Sequence, residues 1–183
     1  MITESPKWLE KYNVEALPEA IRYRFTRLLK IATISEEGFR ALSDEQLNNS
    51  LFPPSDNLIK QFRHILMHTA AFSQLIAQST NEAPNQLLTW DYPEQFPELA
   101  QINSMKREEL LYQFDKVIGN LYQALQIPNV LSHKIQKPYN PTISVLECVC
   151  DLSEHFYLHA QSMIDYYEKY NLPRSTSMKA ALG

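Results

Sequence analysis

The sequence predicts an all-α protein built as a four-helix bundle, and three observations carry that expectation. Apolar residues recur at helical spacing through four long stretches. No stretch alternates with the two-residue period of a half-buried strand. Glycine occurs only at Gly38, Gly119 and Gly183, too few for a chain of glycine-dependent hairpin turns. With no internal repeat or low-complexity block, four amphipathic helices bury their stripes most simply against one another. At 183 residues the chain reads as a single domain, 1–183, with a core over about 16–173. It is long enough to bury that core without disulfides or a structural metal.

Residues 1–14 show little periodicity and read as a lead-in strap that packs through Trp8 and Tyr12. Helix one opens at Pro18, a residue suited to a helix start, and carries Ile21, Phe25, Leu28, Leu29, Ile31 and Ala32 to an end by Leu42. Its other side bears Arg22, Arg24, Arg27 and Lys30, which reads as a solvated face. Ser43 to Gln46 open one short turn before the Phe52-Pro53-Pro54 break. Ser55 or Asp56 offers the N-cap of helix two, whose stripe is Leu58, Ile59, Phe62, Ile65, Leu66, Phe72, Leu75 and Ile76, ending at about Gln78.

A long loop, 79–103, then separates helices two and three. It holds Pro84, Pro93 and Pro97 among Trp90, Tyr92 and Phe96, and a loop of this length in a compact domain is usually functional or locally folded. Its aromatics are expected to roof a cleft or to plug one end of the bundle. Helix three starts near Asn103 or Ser104 and runs through Leu110, Leu111, Phe114, Val117, Ile118, Leu121, Tyr122 and Leu125 to Pro128. After an irregular stretch with His133 at the surface, Thr142 caps helix four, which runs from Ile143 to about Tyr170 and stops at Asn171-Leu172-Pro173. Residues 174–183 read as a flexible tail.

Composition narrows the function. A net charge of −4 and 21% charged residues leave no electrostatic footprint for nucleic acid, and the scarcity of glycine rules out phosphate-cradling glycine loops. No run approaches 18 apolar residues, and the N-terminus lacks a basic region followed by an apolar stretch. The expected location is therefore the cytoplasm, without a membrane segment. Cys148 and Cys150 stand two apart on a helix, pointing about 200° apart around its axis, so they are expected to be free thiols that neither bridge nor chelate together.

Histidine is the residue that asks for a reason. His155 and His159 lie one turn apart on the stripe of Val145, Cys148, Val149, Leu152, Phe156, Met163 and Tyr166, so both rings can aim at one point. Helix two repeats the spacing with His64 and His68. His68 falls between Ile65 and Phe72 on the inward side and is the stronger candidate, while His64 sits beside Arg63 nearer the edge. Whether His64 replaces or supports His68 stays open at this point. Three inward imidazoles, His68, His155 and His159, would give a three-nitrogen set with one position left for water or substrate. Such ligands must be neutral, so metal affinity is expected to fall as pH drops through about 6.5. Asp151, one turn before His155, and the adjoining Glu154 are the carboxylates placed to orient an imidazole or relay a proton. On the residues alone, the pairs suit satisfied core histidines as well as they suit ligands.

The run Ile65-Leu66-Met67-His68-Thr69-Ala70-Ala71-Phe72, together with Thr142 to Glu147 leading into Glu154-His155-Phe156-Tyr157-Leu158-His159-Ala160-Gln161 and the stop Tyr170-Asn171-Leu172-Pro173, resembles the DinB/YfiT-like superfamily of metal-dependent enzymes. The match spans roughly 20–173. Its members are four-helix bundles whose second helix gives one histidine and whose last helix gives a histidine pair at i and i+4. The resemblance implies a divalent ion, zinc or nickel before others, on His68, His155 and His159. It also implies a small-molecule substrate, with a low-molecular-weight thiol among the candidates, and admits a homodimer. Ala160 stands where a basic-glycine step often precedes the glutamine in this family, a departure that bears on substrate or dimer contacts and leaves the ligands intact. Hydrolysis and thiol-dependent transfer are both expected activities, and a non-catalytic, stress-related or structural bundle with a vestigial metal site is the alternative.

Overall fold

A computed structural model describes residues 7–49, 57–80, 101–102, 104–135 and 142–181. Most of the loop predicted between helices two and three, including Trp90, Tyr92 and Phe96, lies outside the described residues. The long helices are α2 (Glu19–Ala41), α4 (Leu58–Ser79), α5 (Arg107–Leu125) and α6 (Val145–Lys169), with short helices α1 (Lys7–Lys11), α3 (Asp44–Asn48) and α7 (Thr176–Ala181). The protein is an all-α four-helix bundle in which α2 packs along α6, and α4 packs along both α5 and α6. Among the described residues the strands are a two-residue antiparallel ladder, β1 (Lys134–Ile135) with β2 (Ile143–Ser144), pairing Lys134 with Ser144 and Ile135 with Ile143. A ladder this short offers no alternating run for a sequence reading to detect.

Each long helix buries the stripe its spacing prescribes. Ile21, Phe25, Leu28 and Leu29 of α2, Leu58, Phe62, Ile65 and Leu66 of α4, Leu110, Phe114, Ile118 and Leu121 of α5, and Val145, Val149, Leu152 and Phe156 of α6 form one continuous core. Phe62 stacks on Phe39 at 4.0 Å and lies 4.9 Å from Phe114, which joins α2, α4 and α5 through their aromatics. The lead-in strap packs as expected. Trp8 stacks on Tyr12, meets the edge of Phe114, and donates its indole N–H to the buried Glu36 at 3.0 Å.

The helix ends show where the boundaries moved. Asn57, in extended conformation, accepts from the Lys60 N–H at 3.1 Å and is the N-cap of α4, one residue past Asp56 and two past Ser55, the two expected candidates. Thr142 was expected to cap helix four; Ser144 does so, through a reciprocal pair in which Ser144 accepts from the Glu147 N–H while Glu147 accepts from the Ser144 N–H. Helix three begins at Arg107 rather than near Asn103, with Glu109 accepting from the Lys106 N–H. At the far end of α6, Asn171 takes φ +48° and Leu172 N–H bonds Tyr167 O at 2.9 Å, the left-handed stop that asparagine tolerates.

The expected flexible tail instead carries α7, whose Met178 is fully buried. The reason lies in Gly38 of α2. A Cβ there would collide with the Met178 Cε atom and stand 2.8 Å from Met163 Cγ, so the missing side chain is the seat in which the C-terminal helix docks. Ser177 donates to Glu37 beside it, and the Tyr167 hydroxyl donates to Gly38 O at 2.9 Å. Gly38→Ala is expected to cost about 1–3 kcal/mol through overpacking, read as a fall in Tm together with faster proteolysis of the C-terminal ten or so residues. An unchanged Tm would mean that α7 is not seated through this contact.

Candidate metal centre

Helices α4 and α6 run in opposite directions where they meet, which follows from the pairings along them. Gln61 contacts His159, His64 faces both His155 and His159, and His68 contacts His155. Two histidine pairs at i and i+4 thus lie across one seam, each helix supplying one ring per turn. All four histidines converge. The ring nitrogens of His64, His155 and His159 come within 4.8 Å of one another, and all three residues are half-buried.

The set expected from sequence had His68 as the helix-two member. In the structure His68 is the deeper residue, 9% exposed, and the group of converging ring nitrogens takes its helix-two member from His64. It stacks on His155 with centroids 4.3 Å apart and planes 17° apart, and its other aromatic neighbour is Phe72 at 4.8 Å. Ranking the pair by depth selects His68, whereas the grouping of ring nitrogens takes His64. His133 is half-buried and lies outside the histidine group.

The carboxylates divide. The Glu154 carboxylate is held by Arg27 and lies 3.4 Å from an Arg24 nitrogen, so it serves the contact with α2 rather than an imidazole. Asp151 remains one turn before His155 and is exposed. The residue that orients a ligand ring is one that sequence reasoning missed. Gln61 Oε1 lies 3.2 Å from His159 Nδ1. A carbonyl oxygen only accepts, so His159 carries its proton on Nδ1 and turns an unprotonated Nε2 toward the seam. Gln61 stands at i−3 from His64, and that spacing on the histidine face was the available signal.

The donor types suit a divalent cation, and the His155–His159 pair has the spacing one asks for. His159 Nε2 lies 3.1 Å from His155 Nε2, and two imidazoles bound at about 2.0–2.1 Å around a tetrahedral ion would stand about 3.3 Å apart. Neutrality is built in as well. Burial first, then the facing His64, pushes His155 down from 6.5 to about 4. Burial, then His155 and His64, does the same for His159. A groove of about 650 Å³ between α4 and α5, lined by Gln74, Gln113, Lys116, Asn120 and Gln123 among others, contains none of the histidines, so the ligand chemistry gathers at the seam and not in this groove.

These shifts revise the expected pH dependence. Between about pH 4 and 6.5 the unfolded chain binds protons at His155 and His159 that the folded chain refuses, so stability rises with pH across that window and is lost as pH falls through it. In the metal-free protein two imidazoles are expected to titrate by NMR near pH 4, and protons to compete with metal at these two positions only there. Midpoints near 6.5 for both rings would show that the seam is open to water.

By sequence the chain matches no known protein family and no curated protein. By structure it is similar to mycothiol-dependent maleylpyruvate isomerase, with TM-score 0.64 and 15% identity, over 83% of this chain and 63% of that one. A histidine-to-alanine variant of the same isomerase matches equally, at 14% identity. It is also similar to YfiT from Bacillus subtilis, described as a probable metal-dependent hydrolase with an unusual four-helix bundle topology, with TM-score 0.66 and 13% identity, over 82% of this chain and 87% of that one. The chain thus spans less than two thirds of the isomerase. At these identities the likeness shows the fold alone, that of a four-helix bundle.

Proposed function

We propose that this protein is a metal-dependent enzyme whose divalent cation is held by His64, His155 and His159, with a further coordination position open to a small-molecule reactant. The observation that carries this reading is the convergence of three imidazole nitrogens from two helices within 4.8 Å, one of them fixed in its tautomer by Gln61. A divalent cation, when bound, supplies Lewis acidity and lowers the pKa of a coordinated water or thiol. The chain contributes the rest. Gln61 holds the His159 proton on Nδ1, burial keeps two ligands neutral, and Asp151 is the carboxylate retained as a proton relay at the rim.

Hydrolysis and thiol-dependent transfer differ in what else they require. Hydrolysis gains most from a carboxylate base beside the attacking water; Glu154 is committed to Arg27, which leaves that role to the exposed Asp151, one turn before His155. Transfer from a low-molecular-weight thiol needs the thiolate and a positioned electrophile, which favours that branch here, with hydrolysis second. Zinc and nickel are the proposed ions. The similarity to the mycothiol-dependent isomerase supports the thiol reading, and that to YfiT the hydrolytic one.

The test has two stages. Metal-stripped protein is expected to take up one divalent ion per chain, and chelation to lower Tm by the linkage term without loss of helical circular dichroism at room temperature. Loaded protein given thiols and electrophiles should then consume the thiol. Failure to bind any ion would return the chain to a non-catalytic bundle. Among the described residues no helix is long and apolar enough to cross a membrane.

A further inference from the structure

Away from the histidine seam, α3 and the first turns of α4 and α5 enclose a pocket of about 660 Å³, a volume in the range that small-molecule sites occupy. Its cations are Arg63, Lys106 and Arg107, and its acids Asp44 and Glu108. The two signs lie at different depths. The Asp44 and Glu108 side chains are 81% and 79% exposed against 27% for Arg107, so the acids stand in water at the rim, where they are screened, while the arginines line the interior. Both arginines hold a donor that no protein acceptor uses. Arg63 gives one N–H to Met105 O at 2.7 Å, and among the described residues no carboxylate pairs with it. Arg107 directs its two terminal nitrogens to Leu42 O and Arg40 O, each at 2.7 Å. Its nearest acids, Asp44 at 3.7 Å and Glu108 at 3.8 Å, are beyond hydrogen-bond length. The Nε–H of each arginine is left enclosed and without an acceptor, a state that is costly and asks for a partner.

We propose that this pocket is an anion site, which takes a phosphate or carboxylate group of a small molecule between Arg63 and Arg107, with Lys106 at its rim. A guanidinium offers its Nε–H and a neighbouring N–H as a fork that matches two oxygens of one oxyanion. Arg107 is already fixed by two carbonyls, so little ordering is lost when a ligand arrives. The backbone adds to the field. Arg107 and Glu108 are the first two residues of the 19-residue α5, whose leading N–H groups have no intrahelical partner and whose dipole is positive at this end. A cation would be repelled by the same arrangement, and a neutral ligand would gain little from it. None of the seam histidines lines the pocket, so the site stands or falls independently of the metal centre.

The test uses the full chain, dialysed free of metal so that an anion resting on a metal is not counted. Inorganic phosphate and, separately, succinate are titrated into the protein and followed by heteronuclear NMR, with ionic strength held constant by sodium chloride. At least one of them is expected to shift the Arg107 and Glu108 amides along a saturable curve and to raise Tm as ligand linkage requires; the tighter of the two identifies the group the pocket takes. Arg63→Gln keeps a donor for Met105 O and removes the charge and the fork. It is expected to weaken binding about ten-fold or more, the worth of a hydrogen bond to a charged group, with Arg63→Lys between it and wild type. Arg63 is the position to change because Arg107 also holds the end of α2. The proposal is overturned if neither anion gives a saturable shift beyond that of chloride, or if Arg63→Gln binds as wild type does. Saturable shifts in wild type that avoid the pocket residues would overturn it as well, whether or not the variants fold.

Discussion

Replacing His64 with alanine should abolish stoichiometric binding of a divalent cation while leaving the bundle folded. Removing a group that merely orients a ligand typically costs 10–100-fold in affinity, and removing one of three ligands should exceed that, to about 100-fold or more. His155→Ala and His159→Ala should behave alike, because the three nitrogens converge within one 4.8 Å group. His64 is half-buried at the rim, so its loss leaves no core cavity and the Tm of the metal-free protein should barely move. Full binding in His64→Ala together with none in His68→Ala would reinstate the ligand set expected from sequence. Metal content after dialysis and isothermal titration both read this directly.

The second large effect concerns stability. Trp8→Ala is expected to cost about 3–5 kcal/mol, because the indole is 1% exposed, stacks on Tyr12, meets the edge of Phe114 and reaches the buried Glu36. One substitution thus removes a large apolar surface and one donor to a carboxylate that Arg40 also engages at 2.8 Å. Urea unfolding should show a lower midpoint at an unchanged slope. A cost under about 1 kcal/mol would mean that the N-terminal strap lies on the bundle without helping to hold it.

Much of this architecture was legible in the residues. The stripes Ile21-Phe25-Leu28 and Phe62-Ile65-Leu66 have the helical period, and burial follows it position by position. What misled was local. The Ser144-x-x-Glu147 box was present in the sequence, but Thr142 lies nearer the proline and drew the cap assignment. The docking of residues 176–181 depends on a glycine on α2, far away in the chain, facing Met178, and no local pattern encodes that contact.

The sequence pointed to the facing histidines of two helices, and the structure brings both pairs to one seam. The spacing of His155 and His159 announced a shared face, and the structure sets their Nε2 atoms 3.1 Å apart. Between His64 and His68 the apolar neighbours Ile65 and Phe72 identified the more buried ring, while which ring nitrogens converge depends on the approach of α6, which no local pattern encodes. Gln61 escaped notice because an amide on a helix is ordinarily a surface residue. Only the antiparallel approach of α6 brings His159 to it.

The measurement that bears most directly on the metal centre is X-ray absorption at the metal edge of zinc-loaded wild type, His64→Ala and His68→Phe. Three imidazole scatterers are predicted in wild type and in His68→Phe, at about 2.0–2.1 Å. In His64→Ala, loaded by excess zinc, two should remain. An unchanged count on loss of His64, a count that falls on loss of His68, or no imidazole scattering in wild type would contradict the account.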